Sequence, residues 1–404
     1  MGEWSDPFGR WGLRRVINAS GTMTVLGASR VAPEVIESVA GMLPRFVIMD
    51  ELQARASRVI AEATGAEAGC VVHCTAAGIT LGVAAAIAGD DLAAIEALPD
   101  CGGRERRVAV QMGHMITYGA TVQQAIALAG AEVVPVGSAA LCEVYHLRRA
   151  LDAGCAAAVY VISHHTVREG ELPLDLFIET CADYGVPVIV DMAAEYDMHR
   201  AAALGAGVVI HSGHKFLAGL TSGVVAGKRD LVRALYLQHR GIGRTMKVPK
   251  EAIVSVMTAL ELWSKRDAAK ARAAEETVLA LWEGYLAGLA GIAISRHDDW
   301  TGNPVTRLRL HVDGPAAGLH AWELAGRLAA RDPAIVVRDD LAEHGLLFLD
   351  PCNLDQGEPA MVGDAILEEV RKAREAGDGC RMSWSDVKRR RAVAPLDWPY
   401  DGGG

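Results

Sequence analysis

The sequence predicts an α/β protein, a mainly parallel β-sheet flanked by helices and followed by a smaller α+β domain. Three observations carry that expectation. First, short apolar runs alternate with helix-prone segments through the first part of the chain. Second, the run 186–190 closes on Asp191, the run 208–210 closes on His211-Ser212-Gly213-His214-Lys215, and an Ala-rich stretch lies between them. That is a β–α–β pattern, which makes the two runs neighbouring parallel strands. Third, the apolar run 70–74 breaks into Thr75-Ala76-Ala77-Gly78 and continues at 79–88 as a small-residue helix.

The chain has 404 residues, 51% of them hydrophobic, enough for a large domain and a smaller one. A formal charge of −10 argues against a nucleic-acid surface, which needs basic density. The first residues, with Trp4, Asp6, Pro7 and Trp11, lack the apolar core of a signal peptide. Apolar runs such as 81–88 are too short to span a bilayer. The eight cysteines include no Cys-x-x-Cys pair and read as reduced thiols of a cytoplasmic protein. Cys70, His73 and Cys74 resemble a metal cluster in composition, and His211 and His214 in spacing. Both sets fall at strand ends, and no metal is expected.

Taken in order, residues 1–13 read as loosely structured, and 14–21 is an apolar run closing in small polar residues. Segments 33–42 and 50–64 carry apolar residues at helical spacing. Strands follow at 70–74, 108–110, 132–136 and 156–162, with helices at 121–130 and 174–184 and a charged loop or short helix at 90–106. After Lys215 come a Gly/Ser/Thr turn at 219–223, a strand at 224–227 and a helix at 230–239. Gly241-Ile242-Gly243-Arg244 lacks the third glycine of a dinucleotide-binding loop, and no strand immediately precedes it. Residues 251–289 read as one long, charged linker helix. Strands at 306–312, 335–338 and 346–349 and helices at 321–330 and 364–376 then form the small domain, and the tail from Lys388 reads as mobile. The expected division is 46–250 for the large domain, 14–45 with 265–385 for the small one, and 251–264 for the start of the linker helix.

In open parallel sheets ligands bind beyond the carboxyl ends of the strands, where Asp191 and Lys215 fall. An acid and a lysine so placed suit pyridoxal 5′-phosphate. The lysine forms a Schiff base with the cofactor aldehyde, and the carboxylate keeps the pyridine nitrogen protonated so that the ring accepts electrons. The alternative is an ion pair or two unrelated surface charges. The turn at 75–78 suits the cofactor phosphate, because small residues let a ligand approach the backbone and a helix start favours an anion. Its alternative is ordinary tight helix packing. His114 after the strand 108–110, and Ser163 with His165 after 156–162, add polar groups at the same sheet edge, with a hydrogen-bonded histidine at a helix start as the alternative for His114.

The ordered motifs resemble one family over about residues 16–360. They are 16–21 with 24–27, Met49 to Leu52, Thr75 to Gly78, Gly113-His114, Ser163 to His165, Asp191 to Glu195, Ser212 to Lys215, Thr221 to Gly223 and Gly241 to Arg244. Together they are similar to the fold-type-I pyridoxal-phosphate enzymes related to selenocysteine synthase, and most to their ammonia-lyase branch. The resemblance implies a seven-stranded-type sheet and a homodimer or higher oligomer with its active site at the interface. It implies Lys215 as Schiff-base lysine and proton-transfer base, and Asp191 on the pyridine nitrogen. It implies Thr75, Ala76, Ala77 and Ser212 around the phosphate with His214 assisting, and His114 stacked on the ring. Ser163 and His165 fall near the cofactor or substrate. Ser20, Gly243 and Arg244 serve a neighbouring subunit, and Arg338 is the candidate grip for a substrate carboxylate, with a plain surface arginine as the alternative. The family commonly has an arginine after Asp-Pro near the end, where this chain has Asp350-Pro351-Cys352-Asn353. A selenocysteine synthase also carries an extra N-terminal tRNA-binding domain that is missing ahead of Val16, so a small amino-acid substrate is expected rather than nucleic acid or membrane.

The implied reaction is loss of water and ammonia from a β-hydroxy amino acid or an amino sugar acid of the D-glucosaminate 6-phosphate kind, giving a 2-keto-3-deoxy acid. Racemisation and retro-aldol cleavage use the same carbanion. A selenocysteine synthase-like transferase and a non-catalytic pyridoxal-phosphate-fold binding protein are the further alternatives.

Overall fold

A computed structural model describes residues 6–377 and 380–398. Chain contacts divide it into two compact units, Ser29–Arg266 and Met1–Ala28 with Asp267–Gly404. Among the described residues the twelve strands are β1 (Val16–Ala19), β2 (Ala68–Val72), β3 (Arg107–Gln111), β4 (Glu132–Val136), β5 (Ala157–Val161), β6 (Val188–Asp191), β7 (Val208–Ser212), β8 (Gly223–Gly227), β9 (Ile292–Asp298), β10 (Thr306–Val312), β11 (Ala334–Val337) and β12 (Leu346–Leu349).

The larger unit is built on a seven-stranded sheet of order β2-β8-β7-β6-β5-β3-β4. Only β8 runs antiparallel to its neighbours, β2 and β7. The other ladders are parallel, so β2, β3, β5, β6 and β7 all present their carboxyl ends at one edge. Strands β2, β5, β6, β7 and β8 are buried along their whole length, as a sheet covered on both faces requires. Their apolar, β-branched sequences follow from that. The helix Thr75–Ala88 lies almost directly on the sheet. A Cβ on Gly78 would stand 2.9 Å from Ile210, so the helix can come this close to β7 only with glycine there.

In the smaller unit β12-β10-β9 form an antiparallel sheet and β1 pairs with β11 in parallel. Its core holds the fully buried Trp282, whose indole N–H donates to the Pro359 carbonyl at 2.8 Å. Arg307 is buried between two acids, Asp299 at 2.8 Å and Asp350 at 2.6 Å. A buried arginine is tolerated only when its charge is answered in this way.

Several expectations differ from the structure in detail. The boundary expected at residue 46 falls at Ser29, because the helix Pro33–Met42 buries Val35 in the core shared with Ile253 and Val256. The linker read as one helix is two, Lys250–Lys265 and Ala268–Leu286, since Asp267 caps the second by accepting from Lys270 N–H at 2.9 Å. Strand β9 was not anticipated, and neither were the helices Pro7–Trp11 and Trp384–Val393 in segments read as loose. Residues 1–5 and 399–404 of those tails lie outside the described residues. Among the described residues no helix is long and apolar enough to cross a membrane.

Candidate active site

Four adjacent turns at the carboxyl edge of the sheet assemble the site. Asp191 is the last residue of β6 and only 6% exposed. Its Oδ1 accepts from the Ala193 N–H at 3.2 Å, while its own carbonyl accepts from Ile162 N–H at 2.9 Å, locking it to β5. Burial pushes its carboxyl up to about 6, and the Lys215 ammonium and the Ala193 N–H pull it back only in part. Lys215 is therefore close enough for its charge to be felt at Asp191.

Lys215 sits in a turn with almost no slack. Gly213 N–H donates to Ser222 at 2.9 Å, Gly219 N–H to Gly213 at 2.9 Å and Ala218 N–H to Lys215 at 3.0 Å. A Cβ on Gly213 would stand 2.0 Å from Ser222 Oγ, and one on Gly219 2.8 Å from Ser255 Oγ. Both positions need glycine for want of space. Ser212 is buried beside it, and burial and the Lys215 charge push the half-buried His214 imidazole down, toward the neutral form.

Next to this turn the helix Thr75–Ala88 begins. Cys74 is its N-cap, with Sγ accepting from Ala77 N–H at 3.4 Å. Thr75 and Ala76 remain partly open, so the first turn offers unpaired amide donors and the positive end of a peptide dipole. A Cβ on Gly223 would meet the Cys74 carbonyl at 2.6 Å, which shows how closely β8 backs this cradle. On the other side, Ser163 and His165 follow β5. His165 N–H donates to Ser163 Oγ at 3.3 Å, and the His165 side chain faces solvent.

His114 does not have the expected position over a cofactor ring. It is 0% exposed, its Nδ1 accepts from Val161 N–H at 3.2 Å, and its Nε2 is 3.2 Å from Glu171 Oε2. With Nδ1 accepting, Nε2 carries the proton and donates to the acid. The ring also meets Tyr160 edge-on at 4.4 Å. Enclosed in this way, His114 ties β3 to β5 from inside the core. Tyr118, four residues on, was not singled out. Burial raises its phenol, and the nearby Asp191 and Cys74 raise it further, which places it among the site groups. Its signal in the sequence was only an aromatic residue in a loop. His211 was named but unassigned. It is buried, neither ring nitrogen makes a well-formed hydrogen bond, and burial pushes it down to about 4.

Gly243 is buried in a short helical turn, Ile242–Met246, where its carbonyl lies 3.2 Å from His239 Nδ1, and Arg244 is exposed. Ser20 and Arg338 belong to the smaller unit. Ser20 is buried and its Oγ donates to Asn18 at 2.8 Å. Arg338 continues the β11 end, paired through its backbone with Phe348, and its Nε donates to Asp340 at 2.8 Å.

A mostly parallel seven-stranded sheet with one antiparallel strand, carrying a buried acid and a lysine on neighbouring strand ends, has the fold-type-I α/β architecture. The model of the L-seryl-tRNA selenium transferase (SelA) family matches residues 16–283, and the chain belongs to that family. It is 36% identical over 364 residues to D-glucosaminate-6-phosphate ammonia lyase of Salmonella typhimurium (strain 14028s / SGSC 2262), covering 90% of this chain and 98% of that one. It is also 36% identical over 354 residues to 5′-C-glycyluridine monooxygenase-decarboxylase of Streptomyces sp, covering 87% and 89%. A solved structure of D-glucosaminate-6-phosphate ammonia-lyase superposes with a TM-score of 0.83 at 34% identity, over 92% of this chain and 100% of that one. Sphingomonas wittichii serine palmitoyltransferase, at 14% identity and a TM-score of 0.57 over 89% and 88%, shares the fold.

Proposed function

We propose that this protein is a pyridoxal-phosphate-dependent lyase. It acts on a β-hydroxy amino acid or amino sugar acid of the D-glucosaminate 6-phosphate kind, releasing ammonia and a 2-keto-3-deoxy acid. One observation carries the reading: Asp191 is buried at a strand end, its carboxyl held up by desolvation and answered by the charge of Lys215. A buried acid of this kind suits a cationic heterocycle.

The residues present fit the cofactor. Lys215 would supply the amine for the aldehyde, Asp191 would answer the ring nitrogen, and Thr75, Ala76, Ala77 and Ser212, with His214 beside them, would hold the phosphate. Tyr118, near enough to Asp191 for that charge to be felt, is the candidate for the ring-facing position expected of His114. The cofactor, when bound, supplies an electron sink for the pair left on Cα.

The chain does the rest. Lys215 Nζ is the group that would take the proton from the substrate Cα. His165 donates a proton to the departing β-hydroxyl, which leaves as water. Water then returns to hydrolyse the product, freeing ammonia. Arg338 exchanges Asp340 for the substrate carboxylate. Ser20, Gly243 and Arg244 serve a partner subunit across a dimer interface. The exposed Leu43, Phe46, Ile48 and Met49 fit such an interface, being a cluster of apolar side chains that water alone does not favour. Eight free cysteines suit the reducing cytoplasm.

The test is Lys215→Ala. The parent protein reconstituted with pyridoxal phosphate shows a visible absorbance band and releases ammonia from D-glucosaminate 6-phosphate, and the variant loses both. A variant that keeps the band refutes the lysine assignment. A second reading rests on the equal identity to the monooxygenase-decarboxylase. Product formation that needs O2 and releases CO2 would favour it, whereas ammonia release under anaerobic conditions excludes it.

A further inference from the structure

Apart from the sheet edge, the smaller unit brings three metal-binding side chains together. His320 is the N-cap of the helix Ala321–Ala329, Glu323 lies in its first turn, and Cys380 comes from the segment after the helix Glu358–Ala376. One donor atom from each lies within 4.8 Å of the others. We propose that these residues form a Zn2+ site that pins the C-terminal segment to the helix, with water as fourth ligand.

The donor set carries the inference. An imidazole nitrogen, a carboxylate oxygen and a thiolate sulfur are the ligand types of zinc, which accepts mixed N, O and S donors in a tetrahedron with one position left open. Ligands of one zinc ion stand roughly 3–4 Å apart, as bond lengths of about 2.0–2.3 Å dictate, so a small inward movement closes the site.

The surroundings hold His320 and Glu323 by second contacts, and the His320 ring also accepts from the Glu323 N–H. Glu323 Oε1 accepts from Arg381 N–H at 3.0 Å and Met382 N–H at 3.1 Å, and Oε2 accepts from His320 N–H at 2.8 Å. The His320 ring lies flat on Trp322 at 4.2 Å, and the Trp322 indole N–H donates to the Met382 carbonyl at 2.8 Å. These contacts fix residues 381 and 382 on the helix start and so deliver Cys380 to His320. Such outer contacts orient metal ligands. They also explain the docking of the segment without any ion, so the site stands or falls on metal binding itself.

No other described residues group in this way, and none of the three takes part in the proposed reaction.

Co2+ titration of the chelator-treated full-length protein tests the site. About one Co2+ should bind per chain, with a thiolate-to-metal charge-transfer band and tetrahedral d–d absorption, and Zn2+ should displace it. Cys380→Ser should abolish the charge-transfer band and weaken binding at least tenfold. His320→Asn keeps a favoured N-cap residue while removing the imidazole, and should also weaken binding at least tenfold with the helix content unchanged. Absence of a charge-transfer band in the parent, or its persistence in Cys380→Ser, overturns the proposal. Since none of these measurements involves pyridoxal phosphate, their failure leaves the lyase reading untouched.

Discussion

Replacing Asp191 by asparagine separates two effects that a catalytic assay alone would merge. In the cofactor-free protein the buried carboxyl is pushed from 3.8 up to about 6. That rise is roughly two units, or about 3 kcal/mol between the protonated and ionised forms. Because the folded value is the higher one, protonation favours folding. The benefit is complete below about 3.8 and is lost as pH rises through about 6. The neutral amide of the variant has no such proton to gain or lose. Between pH 4 and pH 7.5 the stability of Asp191→Asn relative to the parent should thus move by about 3 kcal/mol in the variant's favour. Urea unfolding of both cofactor-free proteins at the two pH values measures this directly. With cofactor and substrate present the order reverses, and the variant should lose about 10²–10³-fold in kcat, as when a fixed electrostatic partner is removed. A stability difference that does not change with pH would refute the buried-acid argument. Activity within tenfold of the parent would refute the role of Asp191 opposite the ring nitrogen.

Gly213→Ala forces a methyl to within 2.0 Å of Ser222 Oγ and should cost about 1–3 kcal/mol, with a partial recovery in the double variant with Ser222→Ala, read from urea midpoints. Arg338→Ala should raise KM about tenfold or more with a smaller change in kcat if the guanidinium binds the substrate carboxylate, and steady-state kinetics decide it. His114→Ala should destabilise by about 3 kcal/mol, since it opens a cavity and strips partners from Val161 N–H and Glu171, yet leave the cofactor spectrum unchanged. A shifted spectrum with normal stability would restore His114 to the ring.

The parts legible in the sequence were those with two supporting periodicities. Asp191 and Lys215 could be placed because the apolar strands on either side of an Ala-rich segment fix parallel neighbours, and parallel neighbours fix where their ends fall. The strand-to-helix change at Thr75 was readable from its small residues. His114 was not, because a histidine after a strand has the same sequence signature whether it faces a ligand or turns inward to Glu171. Only the Val161 and Glu171 contacts, each from a distant part of the chain, distinguish the two. The break at Arg266 was hidden because 251–289 keeps its helical apolar spacing on both sides, and the Asp267 cap is a local competitor of that pattern. The β9 strand was missed because its exposed, mixed pattern shows no clear alternation, so that only its pairing with β10 defines it.

The two glycine pinch points around residue 215 have a mechanical consequence. A main chain gripped at Gly213 and again at Gly219 gives its lysine a fixed pivot, so every excursion of the amine must come from rotation about its own side-chain bonds. On the proposed reading, holding a cofactor and collecting a proton would both be reached by that side chain along one short arc from a base gripped at two points.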